Sequence, residues 1–361
     1  MESTASTPEA RPNLATVAAL AGVSASTASL AFSGAGPVSE KTKARVLAAA
    51  ATLNYAGPDP RAQGLRRGRS GIVGVIIEDR LSDAFRDPMN VAMFDGLADE
   101  LGPQGASLLL LTGNAEGNLY NAPVDGVILI GCSTQLAASV NVFRQRGVPI
   151  VAVEAEPMDD VVAIDLDNRA ASRALSEHLR ELGHTQVAMV TLPLDPAHTN
   201  GPLSPELEAA SEGFTATERI LGVRDVFAGA GGVVASNSSI DDGFAAGLSL
   251  LTASPGSERP PTAIVAQSDL LAVGVIRAAL HLGLQVPRDL SVVGFDGIRL
   301  EGIAPHDLTT MVQPAFEKGR AAGRAVLSLI EGGEAKPVAF ESEFHAGATT
   351  APPARAHGKH V

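Results

Sequence analysis

The first clear hydrophobic pattern in the chain runs from Leu14 to Gly34 and predicts two short helices. In its first half the residues that recur at helical spacing are Leu14, Val17, Ala18 and Ala21. Gly22 breaks that helix, and Ser24 is a favourable cap for a second one. The apolar face of the second helix comprises Ala28, Ala31 and Phe32. A tight glycine-containing turn between two short helices predicts a helix-turn-helix, although an ordinary helical hairpin remains open on this stretch alone.

A third helix is predicted to begin after Ser39, another favourable cap, and it completes a small core. Its apolar face comprises Val46, Ala49, Ala50 and Leu53. The opposite face of the second helix then points away from this core. In a helix-turn-helix that face enters the DNA major groove. Here it carries Ala25, Ser26, Ser29, Leu30 and Ser33.

From Gly71 onward, short apolar runs alternate with amphipathic segments, which predicts a parallel α/β sheet. The predicted strands are Ile72–Ile77, Ser107–Leu111, Gly126–Ile130, Ile150–Glu154, Val161–Asp165, Val187–Thr191, Gly232–Ala235, Ala263–Ala266 and Ser291–Phe295. The predicted helices are 88–101, 134–146, 167–182, 206–221, 240–251, 269–282 and 314–331. Only residues 112–123 separate the second and third strands, so the helix between them is expected to be short or absent.

Residues 57–70, between the three predicted helices and the α/β part of the chain, are predicted to form a short helix. Asp59 is a possible cap, Pro60 suits the first helical position and Gly68 suits the end. A helix of about two turns is marginal in water. We therefore expect it to form only when something holds it, and to be a flexible linker otherwise.

Composition and charge separate the two parts of the chain. At 361 residues the chain is long enough for two or three domains. Residues 1–70 hold eight Lys and Arg against four Asp and Glu, whereas the remainder holds 19 against 36. A basic head on an acidic body suits a protein whose head alone meets a polyanion.

Other features restrict the class of protein. Cys132 is the single cysteine, so an intrachain disulfide is impossible and a reducing compartment is expected. The N-terminus lacks a signal-peptide pattern and no apolar run has membrane-spanning length, so we expect a cytoplasmic protein with no membrane partner. Neither a phosphate-binding glycine motif nor a metal-ligand spacing occurs, since His178 and His184 stand six apart. We therefore expect no catalytic site, no metal and no cofactor.

Ordered motifs along the chain resemble the lactose-repressor (LacI/GalR) family of bacterial transcription regulators. The head carries AGVS, STAS, SG, VSE, RVLAAA and LNYAG in that order. The body carries DLDN at 165–168, LGH at 182–184, RILG at 219–222, SDLLAVG at 268–274, SVVGFD at 291–296 and QP at 313–314. Each motif alone is weak, but the order over nearly the whole chain is specific.

This resemblance implies an all-α helix-turn-helix head plus an α/β two-lobed periplasmic-binding-protein-like effector domain. The implied division is a disordered N-terminus at 1–12, a DNA-binding domain at 13–56, a hinge helix or linker at 57–70, an effector-binding and dimerisation domain at 71–350, and a disordered tail at 351–361. The first lobe is expected to comprise 71–157 plus 297–312, and the second 162–295 plus 313–350. The chain is expected to cross between them near 156–165, 296–304 and 309–316.

The resemblance also implies a set of DNA-contacting residues. In the head they are Thr16, Ala25, Ser26, Thr27, Ser29, Leu30 and Lys41; in the hinge they are Ala62, Leu65 and Arg66. Leu65 matches the leucine that the family inserts into the minor groove, a known way of kinking DNA. Leu30 stands where the family commonly has arginine, so it suits a thymine methyl or packing on a neighbour rather than guanine.

The effector site implied by the resemblance lies between the lobes. Its residues are Asp83, Phe85, Asp167, Arg219, Ser268 and Asp296. Arg219 and Asp296 suit hydroxyl or amide groups of a ligand. The alternative for that pair is an inter-lobe salt bridge.

Together these features predict a homodimeric, sequence-specific transcriptional regulator, a repressor, that binds a double-stranded operator. A small-molecule effector, by default a sugar, is expected to control its operator affinity. The alternatives are a solute-binding protein, which would need an export signal, and an α/β enzyme, which would need a catalytic set.

Overall fold

The computed structural model describes residues 12–34, 36–57, 68–77, 84–112, 116–130, 136–252, 260–298 and 307–354. The chain divides into two compact units, Met1–Ser70 and Gly71–Val361. Several predictions lie outside the described residues: the hinge positions Ala62, Leu65 and Arg66, the pocket residue Asp83, Cys132, and the two chain ends at 1–11 and 355–361.

The head is a three-helix unit of α1 (Leu14–Ala21), α2 (Ala25–Ser33) and α3 (Glu40–Thr52). Each helix begins at a side-chain cap: Asn13, Ser24 and Ser39 accept hydrogen bonds from backbone amides of the first turn. The axes of α1 and α2 bend by 102°, which is the angle range of a helix-turn-helix. The predicted helices and caps are confirmed.

Small side chains form the core of the head. The buried residues are Val17, Ala18, Ala21, Ala28, Ala31, Val46, Ala49 and Ala50. Alanines let the three helices approach closely, and larger groups close the edge of the core. Phe32 meets Tyr55 edge to face, with ring centroids 5.8 Å apart.

Two parallel sheets organise the body. The strands are β1 (Ile72–Ile77), β2 (Ser107–Thr112), β3 (Gly126–Ile130), β4 (Ile150–Val153), β5 (Val161–Leu166), β6 (Val187–Thr191), β7 (Gly201–Pro202), β8 (Gly232–Val234), β9 (Ala263–Ala266), β10 (Ser291–Val293), β11 (Thr310–Val312), β12 (Val338–Phe340) and β13 (Glu343–His345). The first sheet has the order β12-β5-β4-β3-β1-β2, the second β10-β9-β6-β8-β7, and β11 pairs with β13. All pairs in the two larger sheets are parallel except β7 with β8.

Helices cover these sheets. They are α4 (Pro88–Leu101), α5 (Glu116–Asn121), α6 (Leu136–Gln145), α7 (Asn168–Glu181), α8 (Pro205–Ala209), α9 (Phe214–Arg224), α10 (Ile240–Leu251), α11 (Asp269–His281) and α12 (Ala315–Ile330). The six-residue α5 confirms the shortened connection between β2 and β3. The predicted single helix 206–221 is wrong, because the chain breaks into α8 and α9. Gly213 lies at that break, against the Pro193 carbonyl, where a Cβ would come within 2.9 Å.

The predicted division of the body into lobes is wrong in three places. Residues 161–166, assigned to the crossing and the second lobe, form β5, which pairs with β4 and β12 in the first sheet. Residues 313–340 belong largely to the first lobe, because α12 packs on α4 so closely that a Cβ on Gly319 would lie 2.2 Å from the Met93 carbonyl. Residues 309–312 lie instead beside β10, in the second lobe.

The chain therefore crosses between the lobes at 166–168, 313–315 and 340–343. The third predicted crossing, near 309–316, overlaps one of these. The first was placed near 156–165, which includes most of β5, and it lies after that strand. The predicted crossing at 296–304 is wrong, because strands on both sides of it, β10 and β11, belong to the same lobe.

The prediction of disorder from Ala351 onward is also wrong for residues 351–354. The Ala351 amide donates to Ser291 Oγ at 3.1 Å, and its carbonyl accepts from the Ser291 hydroxyl at 3.0 Å. His184 Nε2 lies 2.9 Å from the same carbonyl. These contacts fasten the segment to the base of the second lobe.

Within the described residues no single helix has the length and apolar character needed to cross a bilayer. The bent pair α1 and α2 passes that test together, on length and composition only.

Candidate DNA-binding and ligand-binding sites

The predicted DNA-reading face of α2 lies at the surface of the head. Ala25 and Ser26 are exposed, and Thr27, Ser29 and Leu30 are half-buried. The hydroxyl of Thr27 lies 2.8 Å from that of the cap Ser24, which holds this side chain at the start of the helix. The face therefore presents small side chains, most of them polar, with Leu30 as its one large apolar side chain.

Part of the Leu30 side chain packs against the protein itself. A Cβ built on Gly36 would lie 2.9 Å from Leu30 Cδ2, so the leucine rests against the glycine backbone. The half-buried remainder is available for an apolar contact. Both interpretations of Leu30, packing and base contact, therefore fit the same side chain.

Thr16 and Lys41, the predicted phosphate contacts outside α2, are both exposed. The hydroxyl of Thr16 is already engaged: it donates to the Asn13 carbonyl at 2.7 Å and accepts from the Asn13 amide at 2.8 Å. This capping box leaves Thr16 with a structural function. Any phosphate contact there would use the backbone at the helix N-terminus.

A buried polar cluster lies where the two lobes of the body meet. It comprises Glu154, Asn168, Arg219, Asp296, Gln313 and Lys318. The first lobe supplies Glu154, at the end of β4, and Lys318, on α12. The second lobe supplies Asn168 on α7, Arg219 on α9 and Asp296 after β10. Gln313 lies on the second crossing.

Glu154 is the centre of this cluster. Lys318 Nζ donates to Glu154 Oε1, and Asn168 Nδ2 donates to Oε2 at 2.9 Å. Arg219 Nη2 lies 3.7 Å from the same Oε2. Burial alone would raise the pKa of Glu154, but the charges of Lys318 and Arg219 and the two hydrogen bonds leave that pKa below its ordinary value.

Arg219 is held on every side by the protein. Its Nε donates to Asn168 Oδ1 at 2.7 Å and its Nη1 to the Gln267 carbonyl. Nη1 also lies 3.8 Å from Asp296 Oδ1. The guanidinium stacks on the Phe295 ring, 3.7 Å from its centroid. Only 2% of Arg219 is exposed.

Asp296 has an unusual backbone and an unusual pKa. Its φ is +124°, a region that residues other than glycine rarely adopt. Gln313 Nε2 donates to its Oδ1 at 2.7 Å. Burial raises the pKa of Asp296 well above its ordinary value, and Arg219 offsets part of that rise while Asp269 and Asp87 add to it.

Asp269, next to the predicted Ser268, supports the loop that carries Asp296. Its carboxylate accepts from Thr310 Oγ1 at 2.6 Å and from the Ile298 amide at 2.9 Å. Burial raises the pKa of Asp269 to about 7 despite these hydrogen bonds. Ser268 caps α11, accepting from the Leu271 amide at 3.2 Å and from the Ser238 hydroxyl at 2.8 Å.

The other predicted pocket residues have different surroundings. Asp167 accepts two hydrogen bonds from Ser342, from its amide and its hydroxyl, both at 2.9 Å, so it joins the first crossing to the third. Phe85 is 55% exposed and lies 6.1 Å, centroid to centroid, from Phe94. Arg219 does make an ion pair across the lobes, but with Glu154; its pair with Asp296 lies within the second lobe.

Sequence reasoning missed four members of this cluster: Glu154 and Lys318 of the first lobe, and also Asn168 and Gln313. Lys318 was the clearest available signal, because it falls on the apolar stripe of α12 between Ala315 and Ala322, where a charge needs a buried partner. Glu154 was the second, since it directly follows the buried strand β4.

A helix-turn-helix head joined to a two-lobed α/β body defines a DNA-binding regulator with a ligand-binding type of domain. The family model described as "Bacterial regulatory proteins, lacI family" matches residues 13–57, and the one described as "Periplasmic binding protein-like domain" matches residues 176–345. Residues 13–57 thus fall in one known module and most of the second lobe in another.

Curated relatives and solved structures point to the same class of DNA-binding regulator. The HTH-type transcriptional regulator IpsA of Corynebacterium glutamicum is 30% identical over 355 residues, covering 94% of this chain and 97% of IpsA. The ribose operon repressor of Halalkalibacterium halodurans is 28% identical over 323 residues, covering 87% and 89%. The crystal structure of the lac repressor dimer bound to operator and the anti-inducer ONPF matches with a TM-score of 0.72 at 25% identity, covering 95% of this chain and all of that one.

The chain belongs to the LacI family of bacterial transcriptional regulators. It is a DNA-binding regulator with an effector-binding domain and not an enzyme. The solute-binding protein and the α/β enzyme, the two alternatives from the sequence, are thereby set aside.

Proposed function

We propose that the protein is a homodimeric repressor whose operator affinity is set by a small molecule, a sugar, bound between the lobes. The buried polar cluster is the observation that carries this proposal. Asn168 and Arg219 of the second lobe both contact Glu154 of the first. A ligand that enters there must replace or supplement those contacts, and so it changes the angle between the lobes.

The proposed ligand contacts are Asp83, Phe85, Asp167, Arg219, Ser268 and Asp296. Ser268 suits this role because its oxygen accepts from Ser238 and Leu271, so its own proton remains for a ligand oxygen. Phe85 is exposed, as a ring that stacks on a sugar must be before binding. Asp167 would position the site through the hydrogen bond that it accepts from the Ser342 amide.

The proposed DNA contacts are divided between bases and phosphates. Ala25, Ser26, Ser29 and Leu30 would read base edges, and Thr16, Thr27 and Lys41 would position the head on phosphates. Ala62, Leu65 and Arg66 would act in the hinge, Leu65 as a minor-groove wedge. The relatives support this assignment at the level of the whole protein, since one is a ribose operon repressor and another is a dimer on its operator.

The direct test is a gel shift on DNA that flanks the protein's own gene, with and without candidate sugars. We expect a salt-sensitive shift that prefers one near-palindromic sequence, and a change in midpoint when the effector is present. By linkage, operator and effector must change each other's affinity by the same factor. A folded, dimeric sample that shows no sequence-preferring shift would refute the proposal.

A further inference from the structure

The helix α2 carries none of the charged or amide side chains that read base edges by hydrogen bonds. Its sequence, ASTASLAFS, contains no arginine, lysine, asparagine, glutamine or acidic residue. In the major groove, arginine or lysine pairs with guanine, and asparagine or glutamine pairs with adenine, through two hydrogen bonds to one base. Base discrimination by α2 must therefore come from its hydroxyl and apolar side chains.

The hydroxyl groups of α2 discriminate poorly between bases. Ser24 Oγ accepts from the Thr27 amide at 3.1 Å, and it lies 2.8 Å from Thr27 Oγ1 and 3.3 Å from Ser26 Oγ. The cap therefore engages the first hydroxyls. A hydroxyl such as that of Ser29 can both donate and accept, so it suits more than one base edge. Leu30 is left as the group on this face that can distinguish one base from another.

Leu30 lies outside the hydrophobic core of the head. That core receives the half-buried side chains of Val23, Phe32 and Val38, whereas Leu30, which is also half-buried, does not pack against it. Its apolar surface is therefore not needed to close the core. It is available on the face that the proposed function places in the major groove.

Gly36 holds Leu30 in its position. A Cβ on Gly36 would lie 2.9 Å from Leu30 Cδ2 and 3.3 Å from Cδ1, so a side chain there would displace the leucine. The backbone of Gly36 does not require glycine, because its φ lies outside the left-handed region. Gly34 is the opposite case: its φ is +65°, and a Cβ there would meet nothing within 4 Å. The missing side chain at Gly36 therefore serves the placement of Leu30.

The chemistry of a leucine matches one group of the major groove, the C5-methyl of thymine. Contact between the two buries apolar surface on both sides. Over guanine the same leucine would cover the N7 and O6 acceptors without offering a donor, which is unfavourable. 5-Methylcytosine carries a methyl group at the same ring position as thymine, whereas cytosine and uracil carry hydrogen there.

We propose that the head recognises a 5-methylpyrimidine in each half-site through Leu30, with Gly36 as its positioning residue. The head therefore reads 5-methylcytosine at that position as it reads thymine. This inference deepens the proposed function and rests on it, because it takes α2 to lie in the major groove.

The test uses the near-palindromic sequence that the full-length protein prefers and changes only methyl groups. Each thymine of a half-site is replaced in turn by deoxyuridine, and affinity is measured by gel-shift titration at constant salt. We expect loss of the methyl group under Leu30 to weaken binding about 4-fold in one half-site and about 15-fold in both, the effect of one buried methyl per half-site. At the same position, 5-methylcytosine should bind more tightly than cytosine by about the same 4-fold factor.

Variants assign this methyl effect to the two residues. Leu30→Ala should bind the thymine and deoxyuridine operators equally well at that position. Gly36→Ala should reduce the difference in the wild-type background and have no further effect on it in the Leu30→Ala background, because Gly36 acts through Leu30. Leu47→Ala, the matched control on the exposed side of α3, should keep the full difference. Unchanged affinity for non-specific DNA shows that each variant head is folded.

The inference is overturned if no deoxyuridine weakens wild-type binding, or if the sensitive position is equally sensitive in Leu30→Ala. A folded Gly36→Ala protein that keeps the full difference refutes the positioning role of Gly36. Each of these results comes from a protein that still prefers its operator, so the proposed function survives them. A folded dimer that prefers no sequence refutes the proposed function, and this inference with it.

Discussion

Replacing Lys318 by methionine tests whether the buried polar cluster holds the body together. Lys318→Met keeps an unbranched side chain of similar length and removes the charge. The carboxylate of Glu154 then stays buried with Asn168 at 2.9 Å and Arg219 at 3.7 Å. We expect a lower stability of the Gly71–Val361 unit, because Glu154 loses its nearest cation.

The magnitude follows from burial. The side chains of Lys318 and Glu154 are 1% and 8% exposed, so the pair is screened little by solvent. Removing one partner of a buried ion pair costs about 3–5 kcal/mol. Because Arg219 and Asn168 remain, we expect a value near the lower limit, about 3 kcal/mol. For a unit of this size that corresponds to a fall of about 6 °C in the unfolding midpoint.

The assay is thermal unfolding at pH 7 of the wild type, Lys318→Met, Glu154→Gln and the double variant. Glu154→Gln in the Lys318→Met background removes the unpaired charge, so we expect the double variant to be more stable than Lys318→Met alone. A Lys318→Met protein as stable as the wild type, with single effects that add, would show that the pair contributes nothing.

The same variants have a predictable pH dependence. The pKa of Glu154 is lowered in the folded protein, by charges and hydrogen bonds that outweigh its burial. A depressed carboxyl pKa contributes stability above the pKa of the unfolded chain and loses it as pH falls through the folded pKa. The stability gap between wild type and Lys318→Met should therefore shrink in acid below the ordinary glutamate value.

Three further predictions concern the head, the hinge and the second lobe. Leu30→Ala should weaken or redirect operator preference in a gel shift, whereas Leu47→Ala, the same change at a position 44% exposed on α3, should not; equal effects would argue against a base contact. Leu65→Ala should reduce specific binding far more than non-specific binding, and equal losses would exclude a minor-groove wedge. Asp269→Asn should gain stability relative to the wild type as pH rises from about 4, the ordinary pKa of an aspartate, to about 7, the raised pKa of buried Asp269, because only the folded wild type must stay protonated in that interval; a constant difference between pH values of about 4 and 7 would contradict this pKa.

Local patterns were sufficient for most helices and strands of this fold, but not for the break in the predicted helix 206–221 or for the short strands β7, β11, β12 and β13. The helix caps Ser24 and Ser39 and the strand Gly126–Ile130 were all predicted from residues within a few positions of one another. Such signals depend on capping side chains and on short apolar runs, which a short window of sequence contains. They do not tell which sheet a strand will join.

The wrong lobe assignment of β5 shows that local patterns do not determine which sheet a strand joins. β5 pairs with β12, and the partners Ile164 and Val338 are far apart in the chain. Nothing near residues 161–166 indicates that their hydrogen-bond partner lies near the C-terminus. The buried cluster has the same character, because Lys318 and Glu154 are 164 positions apart. Arg219 and Asp296 were found through motifs, whereas their first-lobe partners required the three-dimensional arrangement.

The arrangement of the crossings connects the ligand cleft to the whole body. Asp167 on the first crossing accepts two hydrogen bonds from Ser342 on the third, and Gln313 on the second contacts both Asp296 and Lys318. Each crossing therefore contains either a residue of the buried cluster or one of the hydrogen-bonded pair Asp167 and Ser342. Under the proposed function, a ligand that binds Asp296 acts on Gln313, and through it on a crossing, without needing to contact a distant surface. That path consists of hydrogen bonds with defined partners. A ligand that uses it can shift the equilibrium between two lobe arrangements only by the difference between its binding free energies for those arrangements.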